Sequence, residues 1–123
     1  MRLSTTTGTR IVSFYPKDGT PGCTNEACAF RDNFARYKDA GITIFGVSGD
    51  SQESHDAFRK EHTLPFPLAA DDHGTIAQSY GVPTRLGMPA RVTFIVDGQG
   101  KVKRVFEDVD PSVHADQVLD AAR

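Results

Sequence analysis

From about Thr9 onward, apolar and polar positions switch between two periods. Ile11, Val12, Phe14 and Tyr15 form a short apolar run that predicts a strand over 10–15. Beyond it, Cys23, Ala27, Phe30, Phe34 and Tyr37 recur on one helical stripe, and Gly41 supplies a stop signal, so a helix is predicted between them. A second strand follows over 42–48. Strand, helix and strand in this order favour a parallel pair joined by a right-handed crossover.

Asp50 followed by Glu53 resembles a capping box and predicts a second helix over 51–62. Leu64-Pro65-Phe66-Pro67 then forces extended chain. A short strand is expected over 68–70, and Ile76, Ala77 and Tyr80 mark one face of a brief helix ending at Gly81. Strands over 91–96 and 102–106 flank Asp97-Gly98-Gln99-Gly100, a turn signal that predicts an antiparallel hairpin. Asp110 as cap, Pro111 at the first helical position, and Ala115, Val118, Leu119 and Ala122 on one face describe a terminal helix. The expectation is an α/β fold of thioredoxin-like arrangement: a central mixed sheet flanked by helices, forming one domain over 1–123.

Length and charge narrow the function classes. A chain of 123 residues can build a core without metal or disulfide support. Its 14 basic and 16 acidic residues leave a formal net charge of -2 with no run of like charge, which argues against nucleic acid or an anionic membrane surface as partner. Apolar runs fall far short of the ~20 residues that span a bilayer. Met1-Arg2-Leu3-Ser4-Thr5-Thr6-Thr7 lacks the apolar centre of a secretory signal, although its lack of acidic residues leaves an organellar leader conceivable. The reducing cytoplasm is the default expectation, and there two cysteines are more often redox-active than structural.

Those cysteines carry the most informative chemistry. Cys23 falls at a predicted helix start and Cys28 five residues later. In a helix that spacing advances about 7.5 Å and turns about 140°, leaving the Cα atoms roughly 8 to 9 Å apart. Disulfides need about 7 Å or less, so bonding would require local unwinding. At the helix start, free N–H groups and the dipole favour a thiolate at Cys23 over a thiol. Thr20 adds a hydroxyl that can donate and accept, Pro16 and Pro21 restrict the preceding loop, and Gly19 and Gly22 allow close backbone approach. His55, His62, His73 and His114 are scattered without a second cysteine pair, which argues against a zinc site and suggests surface or capping roles. Taken alone, Arg91 reads as an ordinary charge at a strand edge, and Phe30, Phe34 and Tyr37 as core.

Pro16-Lys17-Asp18-Gly19-Thr20-Pro21-Gly22-Cys23 resembles the Pro-x-x-x-Thr-x-x-Cys signature of the peroxiredoxins, and the flanking Phe14-Tyr15 and Thr24-Asn25-Glu26-Ala27-Cys28 are similar to their Q branch, the bacterioferritin comigratory proteins. Gly46-Val47-Ser48, Asp50-Ser51, Leu64-Pro65-Phe66-Pro67-Leu68, Tyr80-Gly81-Val82 and Arg91-Val92-Thr93-Phe94-Ile95-Val96-Asp97 extend the resemblance in order along the chain. It implies a thiol peroxidase in which Cys23 is the peroxidatic cysteine and Cys28 the resolving one. Thr20 would hydrogen-bond thiolate and peroxide, Arg91 would stabilise the thiolate and polarise the substrate, and Pro16 would shield the pocket. The implied substrates are hydrogen peroxide and organic hydroperoxides, the implied reductant is thioredoxin or a similar dithiol, and no cofactor or metal is implied. The branch is often monomeric, and a monomer is expected here. With Met1 to Thr9 ahead of its first strand, the chain is expected to lack the family's usual N-terminal segment and its Ala-Pro-Asp-Phe element. An alternative reading is a redox-responsive binding or chaperone-like protein, in which oxidation unwinds the first helix and exposes Phe30 and Phe34. A third is a catalytically silent thioredoxin-like domain.

Overall fold

In this computed structural model, residues 8–71, 73–85, 88–98, 100–107, 118–119 and 121–122 are described, without the side chains at 21, 23, 26 and 85. The elements run β1 (Arg10–Phe14), α1 (Pro21–Asp32), α2 (Phe34–Asp39), β2 (Thr43–Ser48), α3 (Gln52–His62), β3 (Leu68–Ala70), α4 (Thr75–Tyr80), β4 (Thr84–Arg85), β5 (Met88–Pro89), β6 (Val92–Val96) and β7 (Val102–Glu107). Every residue of β1 is buried, as befits a central strand covered on both faces.

The main sheet has the order β3-β2-β1-β6-β7. β1 pairs in parallel with β2, Ile11 opposite Ile44, and antiparallel with β6, Phe14 opposite Val92. The expected parallel pair and closing hairpin are therefore both present, within one mixed sheet. Alternation along the strands sends Ile11, Ile44 and Ile95 to one face, where Phe30 of α1, Tyr37 of α2 and Phe58 of α3 pack on them. Val12, Phe14, Val47, Phe94 and Val96 meet Ala77 and Tyr80 of α4 on the other. Gly46 is required where Leu68 and the Tyr15 ring lie directly on β2: a Cβ there would come within 2.6 Å of Leu68 and 3.3 Å of Tyr15.

Four details differ from the pattern-based expectation. The single helix expected between Cys23 and Gly41 is two, separated at Asn33, whose side-chain amide donates to the Ala29 carbonyl at 2.8 Å and competes with the helical ladder. The cap of α3 is Ser51, which accepts from the Ser54 N–H at 3.1 Å, while Asp50 turns away to Ser48 and Asp18. The two-residue strands β4 and β5 pair in a separate hairpin, too short to leave a period. His55 is fully buried and does not take the surface or capping role expected of it. Of the terminal helix, Val118, Leu119, Ala121 and Ala122 are helical, with Val118 and Leu119 in the core. Asp110, Pro111 and Ala115 of that expectation, together with His114, Gln99 and residues 1–7, lie outside the described residues.

Candidate functional site

The candidate site occupies the end of β1 and the loop into α1. Tyr15 prolongs the parallel pairing through its N–H to Val47 O at 3.0 Å, and the chain then turns through Pro16 to Thr20 before the helix starts. Polar contacts from three elements fix this turn. The Asp18 carboxylate accepts from the Tyr15 hydroxyl at 2.5 Å and from Ser54 Oγ at 2.9 Å, and it lies 2.8 Å from His55 Nδ1. The Asp18 N–H donates to Asp50 Oδ2 at 2.7 Å, an oxygen that also accepts from Ser48 Oγ.

His55 decides the charge state of this cluster. Its Nδ1 faces the Asp18 carboxylate and its Nε2 faces the Ala69 carbonyl at 3.1 Å, so with Asp18 ionised both ring nitrogens have acceptors and the geometry favours an imidazolium. Burial works against that charge, but the hydrogen bond to Asp18 and its negative charge, with the Ala69 carbonyl and Asp50, raise His55 above the ordinary imidazole value. Burial likewise works against ionised Asp18, yet bonds from His55, Tyr15 and Ser54 and the His55 charge hold it below the usual carboxylate range. Burial, reinforced by the bond to Asp18 and its charge, pushes the Tyr15 phenol well above its usual value and keeps it a donor. Asp18, Asp50 and His55 have ligand atoms within 4.8 Å of one another, the spacing of a metal site. The donors they already serve, and a protonated His55, fit a closed hydrogen-bond network better than a set of metal ligands.

This network supports the helix that carries the cysteines. Thr20 is the N-cap of α1 in extended conformation, and Pro21 opens the helix. The Thr20 hydroxyl donates back to Lys17 O at 3.1 Å and makes no cap bond, so its capping role is backbone only. The Thr24 N–H reaches Thr20 O at 2.8 Å, which leaves the N–H groups of Gly22 and Cys23 ahead of this first helical bond. The backbone of Cys23 thus sits in the first turn, where the dipole favours negative charge. Pro16 is half-buried in the same loop. Arg91 immediately precedes β6, whose register with β1 sets it beside Tyr15 at this end of the sheet; it is half-buried, with Nη1 shielded from solvent.

Cys28 occupies a different setting on the same helix. It is a half-buried free thiol whose Sγ lies 3.9 Å from His62 Nδ1 at the end of α3. Arg31, one turn on, donates to the His62 carbonyl at 2.8 Å and to Asp32 at 3.0 Å. The hydrogen bond to Asp32 is the main reason Arg31 is raised above its ordinary value, and the negative charge of an ionised Cys28 adds to it. Both cysteines lie within the continuous α1, so the folded geometry separates them. Sequence reasoning missed His55, Asp18, Asp50, His62 and Arg31. One signal was available: His55, Phe58 and His62 recur at helical spacing, which puts His55 on the inward stripe of α3.

Comparison with known proteins gives consistent matches. A profile of the AhpC/TSA family matches residues 1–105. The chain is similar to chloroplastic peroxiredoxin Q of Sedum lineare, with 45% identity over 89% of this chain and 60% of that protein. It is also similar to chloroplastic peroxiredoxin Q of Suaeda salsa, with 41% identity over 89% of this chain and 52% of that protein. It therefore spans little more than half the length of these plant relatives. Among solved structures, peroxidoxin BcpB of Mycobacterium tuberculosis superposes with a TM-score of 0.94 at 34% identity, covering 100% of this chain and 84% of that one. The bacterioferritin comigratory protein of Xanthomonas campestris, studied for alkyl peroxide reduction, superposes at 0.88 with 34% identity over 94% of this chain and 78% of that one.

Proposed function

Because this chain belongs to the AhpC/TSA family, matched over residues 1–105 and similar to peroxiredoxin Q, we propose that it is a thiol-dependent peroxidase acting through Cys23. The observation that carries the reading is the placement of Cys23 in the first turn of α1, behind a loop pinned by the buried Asp18–His55 pair. A thiolate there attacks the terminal oxygen of hydrogen peroxide or an organic hydroperoxide. The O–O bond breaks, water or an alcohol leaves with the added proton, and Cys23 becomes a sulfenic acid. The N–H groups of the first turn and the Arg91 guanidinium are the donors for thiolate and departing oxygen, the Thr20 hydroxyl joins them by turning from the Lys17 carbonyl, and Pro16 limits water at the pocket.

Cys28 then resolves the sulfenic acid. Its sulfur attacks that of Cys23, water leaves, and an intramolecular disulfide forms once the first turns of α1 unwind. A thioredoxin-type dithiol reduces the bond by exchange. Placement of both thiols on one helix supports a working monomer, since no second subunit has to supply a cysteine. The proposed place of action is a reducing cytoplasm, where a pair of cysteines is more often redox-active than structural. No helix among the described residues is long and apolar enough to cross a membrane. The redox-responsive binding alternative gains no support from the relatives. Peroxide consumption with thioredoxin as reductant tests the proposal: the unaltered chain turns over, and Cys23→Ser abolishes turnover. Equal rates in the two proteins would refute it.

A further inference from the structure

Resolution requires Cys28 to lose a proton, and the structure places a proton acceptor against it. His62 Nδ1 is 3.9 Å from Cys28 Sγ, and its Nε2 points toward Glu61 at 3.8 Å on a ring with 23% side-chain exposure. The edge-on packing of the ring against Phe58, with centroids 5.0 Å apart, helps fix the face it presents to the thiol. We propose that His62 is the general base of the resolving step. This rests on the peroxidase reading above and adds a residue that the reading does not use. The Cys28 thiol proton passes to Nδ1, and the thiolate sulfur attacks the Cys23 sulfenic sulfur. An S–S bond forms, the S–O bond breaks with its electron pair leaving on oxygen, and His62 returns the proton so that water departs. Cys28 is oxidised, the sulfenic sulfur is reduced, and no outside reactant is consumed.

The surroundings of His62 suit this role. From α1 it faces Cys28 and Arg31, and from its own helix Glu61; Asp32 reaches it only through Arg31. Arg31 sets a permanent positive charge near the sulfur as it becomes a thiolate. The same Arg31 bond to the His62 carbonyl, with Phe30 only 2% exposed in the core, anchors the second half of α1. Cys28 therefore stays beside its base while the first half unwinds and delivers Cys23. Each unwound residue can span about 3.5 Å, ample to close a helical separation of roughly 8 to 9 Å.

Rapid mixing of the reduced chain with hydrogen peroxide, quenched and read by sulfenic-acid trapping and intact mass, separates a peroxide-dependent phase from a peroxide-independent one. In His62→Gln the second phase slows roughly 10²-fold relative to the first, sulfenic acid accumulates, and added imidazole restores disulfide formation. The variant's second-phase rate also rises in proportion to hydroxide concentration, unlike that of the unaltered chain. A purely structural role for His62 would give neither the rescue nor the changed pH profile. An unchanged second phase in His62→Gln, or slowing that imidazole leaves untouched, overturns the role of His62 alone. Absence of sulfenic acid and of disulfide in the unaltered chain overturns the peroxidase reading with it.

Discussion

At the scale of single residues, the buried Asp18–His55 pair has a consequence that stability measurements can detect. The side chains are 6% and 0% exposed, so loss of one partner leaves an uncompensated charge in the interior. Asp18→Asn is expected to destabilise the fold by roughly 3–5 kcal/mol. The sign of the pH dependence follows from the opposite shifts. Asp18 is lowered, so its contribution is present above the unfolded value of about 3.9 and fades as pH falls through its folded value. His55 is raised, so its contribution is complete below about 6.5 and fades as pH rises through its folded value. The pair therefore supports the fold most strongly between about pH 4 and 6.5. Denaturant midpoints measured across pH should show an alkaline decline that His55→Gln flattens, and superimposable profiles would contradict the assignment. This network was hard to read from sequence, because Asp18 and His55 are 37 positions apart and a histidine between Ser54 and Asp56 resembles a surface residue.

At the scale of elements, the central strands were legible because burial on both faces makes them predominantly apolar, as in β1 and β6, where only Arg10, Ser13 and Thr93 interrupt the run. The helix break at Asn33 was not, since Ala27, Phe30, Phe34 and Tyr37 keep their stripe across it, and the break lies in the non-helical backbone angles of Asn33, whose side-chain amide shares the Ala29 carbonyl with its own N–H. The division within α1 matters more for function. Its second half is held by Phe30 in the core and by Arg31 on α3, whereas the described side chains of the first half, Thr24 and Asn25, are half-buried and exposed. Hydrogen exchange should therefore find amides 24–27 opening at lower free energy than those of β1 and β2. After oxidation, protection should disappear from the first half of α1 and persist in α3. Equal protection along α1 in both states would show that the helix does not come undone.

For the whole molecule, the Pro-x-x-x-Thr-x-x-Cys signature marks where the proposed reacting thiol lies, and the topology brings residues remote in sequence to the same end of the sheet. Antiparallel pairing of β6 with β1 carries Arg91 to the strand end from which the loop departs, and parallel pairing of β2 with β1 brings Ser48 and the following Asp50 to the same end. The sheet thereby brings three segments to one end, and the proposed cycle requires α1 to rearrange. The most direct test is addition of one equivalent of hydrogen peroxide to the reduced protein, with free thiols and intact mass measured. Loss of both thiols, a monomeric mass lower by two hydrogens, and a linkage mapped to Cys23 and Cys28 are predicted. Retention of both thiols, under conditions where a control peroxidase is fully oxidised, would contradict the account.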